Sequence, residues 1–337
     1  MRRGCLLIAL LGGCGANAQS APDAGTTPDL AADIVRDLAS STIGDLGASP
    51  VMWQQESNAG SFSGLWGSSP TDLYAVGAGF NVTGYVYHSL GNGLWTSIKT
   101  SGSLYAVWGS GPDDIYVAGL NMILRSTDRG ATWVSEKLPV VGGTWVIDAL
   151  WGSGANDVYA AGFSTDSHGT KAGSSILHST GNGVWVSQYG DTSGSSFSLW
   201  GADATHVFAV DRESGAIIQS PGNGSWTVHD ALGVVRSIHG IGSNRFYVTG
   251  ANGVLFQSAD AMTWTSQQIA GVSSELLEAI WGTANNDIFV VGNHGSIFHF
   301  DGTSWSNAGA AGTKLLAIWG NGDEIFVAGA DGIYHRH

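Results

Sequence analysis

From about Pro50 onward, short apolar runs return with a regular beat. DLYAVG (72–77), DIYVAG (114–119), DVYAAG (157–162) and DIFVVG (287–292) are rich in β-branched and aromatic residues and bounded by Asp and Gly. Such runs predict short β-strands. A second short run follows each, as in YVYHS (85–89), SILHS (175–179), VLFQS (254–258) and SIFHF (296–300). A turn of Gly, Asn or Asp comes next, then a strand opening on Trp: LWTSIK (94–99), VWVSQY (184–189), TWTSQQ (263–268). The beat is marked by an apolar residue, Trp and Gly, ending at Gly67, Gly109, Gly152, Gly201, Gly282 and Gly320. Ile238-His239-Gly240 stands as the seventh copy, and successive glycines lie 38 to 49 residues apart.

Each repeat reads as four short strands, and four strands in roughly 42 residues make a propeller blade. The pattern therefore predicts an all-β chain, a seven-bladed β-propeller over residues 49–337. The last repeat stops after its third strand, GIYHRH (332–337), and an orphan strand, VMWQQES (51–57), precedes the first. That orphan is the missing fourth strand, so the N-terminal strand should complete the last blade and close the ring. Closure also removes exposed sheet edges.

Ahead of the repeats the pattern changes. Arg2 and Arg3 precede an apolar run, Cys5 to Leu11, too short to span a bilayer. Residues 1–13 read as a secretory signal. Its end, Leu11-Gly12-Gly13-Cys14, resembles the lipobox of bacterial lipoproteins. That resemblance implies lipidation of Cys14 and a membrane held through the lipid anchor. Because Gly15 follows Cys14, it also implies the bacterial outer membrane or cell surface. Residues 14–48, rich in Ala, Asp, Ser and Thr, read as the lipidated Cys and a disordered tether. The chain's only other cysteine, Cys5, leaves with the signal. Thiol catalysis, cysteine metal sites and a disulfide are thereby excluded. A net charge of −14 without any Lys/Arg run excludes nucleic acid as a partner.

The turn STDRGATW (126–133) fits S-x-D-x-G-x-T-W. On it the chain resembles the Asp-box (BNR-repeat) propellers, over nearly all of residues 50–337. Ser126, Asp128 and Gly130 are expected to fix a tight reversal. Degenerate counterparts such as HSTGNGVW (178–185) and QSADAMTW (257–264) recur around the ring, which makes this turn chemistry. The resemblance implies the fold and hardly any activity. Sialidases also carry an arginine triad and an Arg-Ile-Pro motif, and this chain has neither. His88, His178, His299 and His335 occupy one repeat position in different blades, so they cannot converge on one ion; no metal and no cofactor is expected. Thirteen of the 14 tryptophans recur at equivalent places and read as packing between blades.

A site should lie where the blades disagree. Two residues before the inner-strand Trp the side chain is always small. Three before it the series runs Ser63, Tyr105, Asp148, Phe197, Arg236, Glu278 and Leu316. This position should lie near the mouth of the central channel, where charges cost desolvation unless paired or hydrated. Trp145, the fourteenth tryptophan, lies three residues before Asp148, on a loop where it would stack on a sugar or pack beneath a neighbour. The segment FSTDSHGTKAGS (163–174) reads as the longest loop, overhanging the same face with Asp211-Arg212-Glu213. Trp145, Asp148, Arg236, Glu278, Tyr105 and Arg212 are the candidate ligand-binding residues; no catalytic residue is assigned.

The leading function is an anchored, non-catalytic propeller that binds a glycan or an extracellular or periplasmic protein. Its rivals are a glycan-processing hydrolase or lyase using Asp148 and Glu278, and a scaffold resembling propeller-type assembly factors.

Overall fold

The computed structural model describes residues 52–58, 60–78 and 83–336. The signal 1–13, Cys14 and the tether 14–48 lie outside the described residues, and every blade belongs to the unit Pro50–His337. Seven four-stranded antiparallel sheets make the blades of the ring, and among the described residues helix is confined to one 3-10 turn, Ala251–Gly253. Blades 1 to 6 each use four consecutive strands in chain order, from channel to rim. Their strands lie within 61–99, 104–135, 145–191, 197–231, 235–268 and 277–310.

Blade 7 takes its three inner strands from 315–336 and its rim strand from Gln54–Ser57. Gln54 stands opposite His335 and Gln55 opposite Tyr334. The expected closure between the two chain ends is therefore present. Trp53, just ahead of that strand, donates its indole N–H to the Ala308 carbonyl of blade 6 at 3.0 Å.

The core is divided into seven apolar clusters, one between each pair of neighbouring blades. Each holds one rim-strand tryptophan, and six hold the tryptophan of a Trp-Gly pair as well. Tyr74, Tyr116 and Tyr159 on the second strands are fully buried there. Burying the ring carbons contributes about 1.5–3 kcal/mol, offset in part by the buried hydroxyls.

The Trp-Gly pairs make sense only across blades. The Trp66 ring lies against Gly109 of the next blade, and Trp108 lies against Gly152. Trp151 meets Gly201, Trp200 meets Gly240, Trp281 meets Gly320, and Trp319 meets Gly67 to complete the circuit. A Cβ on Gly109 would stand 2.5 Å from the Trp66 ring, and one on Gly152 2.6 Å from Trp108. The glycine is thus the socket for the preceding blade's indole. Between blades 5 and 6, His239 takes the indole's place and hydrogen-bonds the Gly282 backbone, 2.9 Å to the carbonyl. Burial holds the His239 imidazole below its usual pKa, against the bond to Gly282.

The turn 126–133 is built as its residues suggest. Ser126 Oγ donates to Asp128 at 2.7 Å and accepts from the Gly130 N–H at 2.8 Å. Asp128 accepts from the backbone and hydroxyl of Thr132, at 2.8 and 2.6 Å. Gly130 has φ +76°, which favours glycine. Blade 5 repeats the latch with Ser258, Asp260 and Thr263. The histidines also stay within their blades. His88 stacks on Tyr74 with ring centroids 4.2 Å apart and pairs with Asp72 at 2.7 Å. His299 does the same with Phe289 and Asp287, while His178 lies tilted against Tyr159 and pairs with Asp157 at 2.8 Å.

Candidate functional site

Each inner strand enters at one end of the channel and runs down to its Trp-Gly pair. The always-small position two before Trp, from Gly64 and Ala106 round to Ala317, lines the channel axis, leaving a cavity of about 280 Å³. Seven strands converge there, and larger side chains would collide.

The position one step earlier behaves differently. In blades 1, 2, 3, 6 and 7 the pairing register skips it: Ser63, Tyr105, Asp148, Glu278 and Leu316 fall at a β-bulge. Blade 5 shifts between Val235 and Ile238, which frees Arg236 and Ser237. A bulged residue leaves the ladder and is re-aimed, here toward the mouth. Blade 4 is the exception. Phe197 pairs regularly with Asp211 and is fully buried, so that member of the series belongs to the core and not to the mouth.

A second cavity, about 270 Å³, lies at the mouth. Tyr105, Asp148, Arg212 and Glu278 line it with Ser63, Val146, Phe163, Ser196 and Leu316. Four of the six candidate residues thus meet in one place. Arg236 stands beside it, its Nε 3.6 Å from Glu278. Lys314 approaches the other Glu278 oxygen at 3.4 Å, so this carboxylate, with its side chain 10% exposed, sits between two cations. Arg212 and Arg236 cross-link blades 4 and 5: Arg212 Nε donates to the Arg236 carbonyl at 2.9 Å, and Arg236 Nη1 to the Arg212 carbonyl at 3.4 Å.

Asp148 is the unusual group. Burial pushes its carboxyl up to about 6, against the opposing pull of the Arg212 charge and hydrogen bonds from the Phe197 N–H and Ser196. The Phe197 bond is long, 3.3 Å, and offsets little of the desolvation. This carboxyl therefore changes protonation just below neutrality.

Trp145 is not in the cavity. It begins the inner strand Trp145–Gly154, is 5% exposed, and belongs to the apolar cluster against which Leu138 and Val141 pack. Its indole N–H donates to the Pro139 carbonyl at 2.8 Å. The ring is covered because the 136–144 segment folds back over it, so it offers no face for stacking. Of the two expectations for this ring, packing beneath a neighbour holds and stacking on a ligand does not, so Trp145 leaves the set of ligand-binding residues. The aromatic face at the mouth comes instead from Phe163.

Phe163 lies on a hairpin and not on a loop. Strands Asp157–Thr165 and Lys171–Ser179 extend beyond the other blades, with only 166–170 as the turn. Lys171 lies 4.4 Å over the Phe163 ring and pairs with Glu213 at 3.3 Å. Glu213 accepts from the Ser196 N–H at 2.8 Å. These contacts pin the hairpin to blade 4, with Phe163 at the cavity wall.

No protein-family profile and no curated protein sequence matches the chain. Solved structures do. YCF48 from Cyanidioschyzon merolae matches with TM-score 0.65 and 18% identity, over 84% of this chain and 98% of its own. YCF48 bound to a D1 peptide gives 0.68 and 16%, over 88% and 99%. A catalytically inactive virginiamycin B lyase from Staphylococcus aureus, with quinupristin, gives 0.70 and 12%, over 85% and 98%. The likeness is one of fold. The chain is a seven-bladed β-propeller, similar in architecture to a peptide binder and to a lyase alike.

Proposed function

We propose that the protein is a non-catalytic propeller that takes a segment of a partner polypeptide into the mouth of its channel. The observation that carries this reading is the composition of the mouth cavity. Glu278, Arg236, Arg212 and Glu213 are already engaged with neighbours, while Phe163, Val146, Leu316 and Tyr105 line its wall. An apolar side chain flanked by backbone polar groups suits such a wall, and apolar anchors carry most of the energy of small sites. The resemblance to YCF48 solved with a D1 peptide supports a peptide ligand by analogy. A carbohydrate is the other ligand class, with Tyr105 and Phe163 as stacking faces beside Asp148. The lipobox ending at Cys14 supports anchoring at the outer membrane or cell surface, with a partner in the periplasm or outside the cell. The Asp-box turn at 126–133 belongs to the scaffold in this reading.

A second reading is a hydrolase or lyase. It is favoured by the Asp148 carboxyl near 6, which suits proton transfer at neutral pH, and by Glu278 on the same cavity.

The test is to pan a displayed 12-residue peptide library and a glycan array against the wild-type protein, then against Phe163→Ala and Asp148→Asn. Enriched peptides that lose binding to Phe163→Ala support the proposal. Peptides that bind both variants as well as the parent defeat it. Glycan binding with turnover that Asp148→Asn abolishes favours the second reading.

A further inference from the structure

Blade 5 breaks the repeat at a place that the mouth does not use. In five of the other blades a carboxylate opens the second strand and hydrogen-bonds a His or Arg on the third strand of the same blade. The pairs are Asp72 with His88 at 2.7 Å, Asp114 with Arg125 at 2.6 Å, and Asp157 with His178 at 2.8 Å. Asp287 pairs with His299 at 2.9 Å, and Glu324 with His335. Blade 4 has His206 and Gln219 at these two positions, and His206 turns to Asp203 of its own first strand at 2.9 Å. In blade 5 the carboxylate's position holds Arg245, and the facing position, opposite Tyr247, holds Gln257.

Both are exposed, and among the described residues neither side chain has a hydrogen bond or an ion pair. Where an imidazole stacks on the second-strand ring in blades 1 and 6, blade 5 has a cavity of about 600 Å³. Asn244, Arg245, Tyr247, Gln257, Asp260 and Thr263 bound it. It lies by the first-to-second and third-to-fourth turns, at the opposite ends of the strands from the mouth.

We propose that this cavity is a second ligand site, in which Arg245 receives the carboxylate of a single acidic side chain from a partner polypeptide. Such a group supplies the carboxylate that five other blades supply internally, with its charge partner reversed onto the second strand. The planar guanidinium fork matches a carboxylate in two parallel hydrogen bonds. The Asn244 and Gln257 amides supply further donors at the rim. Asp260 selects for low ligand charge. Its Oδ1 already accepts from Ser258 Oγ, Met262 N–H and Thr263 N–H, at 2.9, 2.9 and 2.7 Å. Those bonds hold its carboxyl down at about 2, and it stays negative. A phosphate dianion or a polyacidic tract meets that charge and the chain's net −14, whereas one carboxylate in a neutral segment meets far less repulsion.

The site is tested on the full chain, 15N-labelled, by following the arginine Nε–H and Thr263 amide resonances. The probes are acetyl-Gly-Glu-Gly-amide, its Gln counterpart and inorganic phosphate. The Arg245 signal is the one missing from Arg245→Gln, whose unchanged Tm confirms that it folds. A saturable shift of Arg245 and Thr263 is expected with the Glu peptide, at least about tenfold weaker with the Gln peptide, and absent in Arg245→Gln. Asp148→Asn, at the mouth, should leave the titration unchanged. No saturable shift by about 20 mM peptide overturns the proposal. So does equal response to the Gln peptide, tighter saturation by phosphate, or an undiminished Thr263 shift in Arg245→Gln.

Discussion

The socket between each Trp and the next blade's Gly gives a sharp test of what holds the ring together. In Gly109→Ala the new methyl would stand 2.5, 2.7 and 2.8 Å from three carbons of the Trp66 ring. Carbon atoms rest at about 3.5–4.0 Å, so ring and strand must part by roughly 1 Å. Both belong to four-stranded sheets, and the indole sits in the cluster with Tyr74 and Leu104, so there is little room to yield. Overpacking of this kind costs about 1–3 kcal/mol. For a domain of this size that lowers Tm by roughly 2–5 °C. Gly111→Ala is the control, on the same strand with nothing within 4 Å of the added carbon. Differential scanning calorimetry on both variants, and on Gly109→Ala combined with Trp66→Leu, measures the effect. The double variant should lose less than the two single losses added, because the smaller side chain vacates the socket. If Gly109→Ala melts with Gly111→Ala, or the double variant is strictly additive, the socket does not hold the blades together.

The other predictions concern the mouth. Asp148 has a folded-state pKa raised to about 6, so the folded protein holds its proton more tightly than the unfolded chain. Stability is therefore lost as pH rises through the interval from about 4 to 6, by up to about 3 kcal/mol for this group. Asp148→Asn should gain on the wild type across that interval in denaturant melts, and a pH-independent difference would refute the burial argument. Trp145→Ala should cost about 3–5 kcal/mol, as expected for an aromatic ring removed from a core. Trp145→Phe should retain most of that stability and all ligand binding. A Trp145→Ala variant that melts like the parent but no longer binds would restore a stacking role to this ring.

The fold was legible because seven copies of one unit repeat the same periodicity, and the Trp-Gly pairs mark it whatever surrounds them. The orphan strand at 51–57 was legible by arithmetic, since a four-stranded blade lacked one strand. The mouth was half legible. Comparing blades at one position finds Tyr105, Asp148 and Glu278, because such positions are free of the packing that keeps the others alike. The β-bulge that aims them is invisible, since it depends on how two strands pair and not on either alone. Its absence in blade 4 is why Phe197 turns inward. Phe163 was hidden by reading 163–174 as a loop, although Phe163 directly continues the strand 157–162. Lys314 was hidden because its partner, Glu278, is distant in sequence and meets it only after the ring forms. Trp145 misled because exposure cannot be inferred from a lone aromatic when the segment that covers it, around Pro139, lies just upstream.

The seam in blade 7 has a consequence in time. Glu56 and His335 touch at 3.3 Å although 279 residues separate them. Joining the ends of a flexible stretch that long costs about 5 kcal/mol in chain entropy beyond a constant term. Six blades can assemble as the chain emerges, each from strands adjacent in sequence. The seventh must wait until both ends are available. Completing the rim of blade 7 is thus the most non-local pairing in the ring, and until it forms the third strand of that blade presents an open edge.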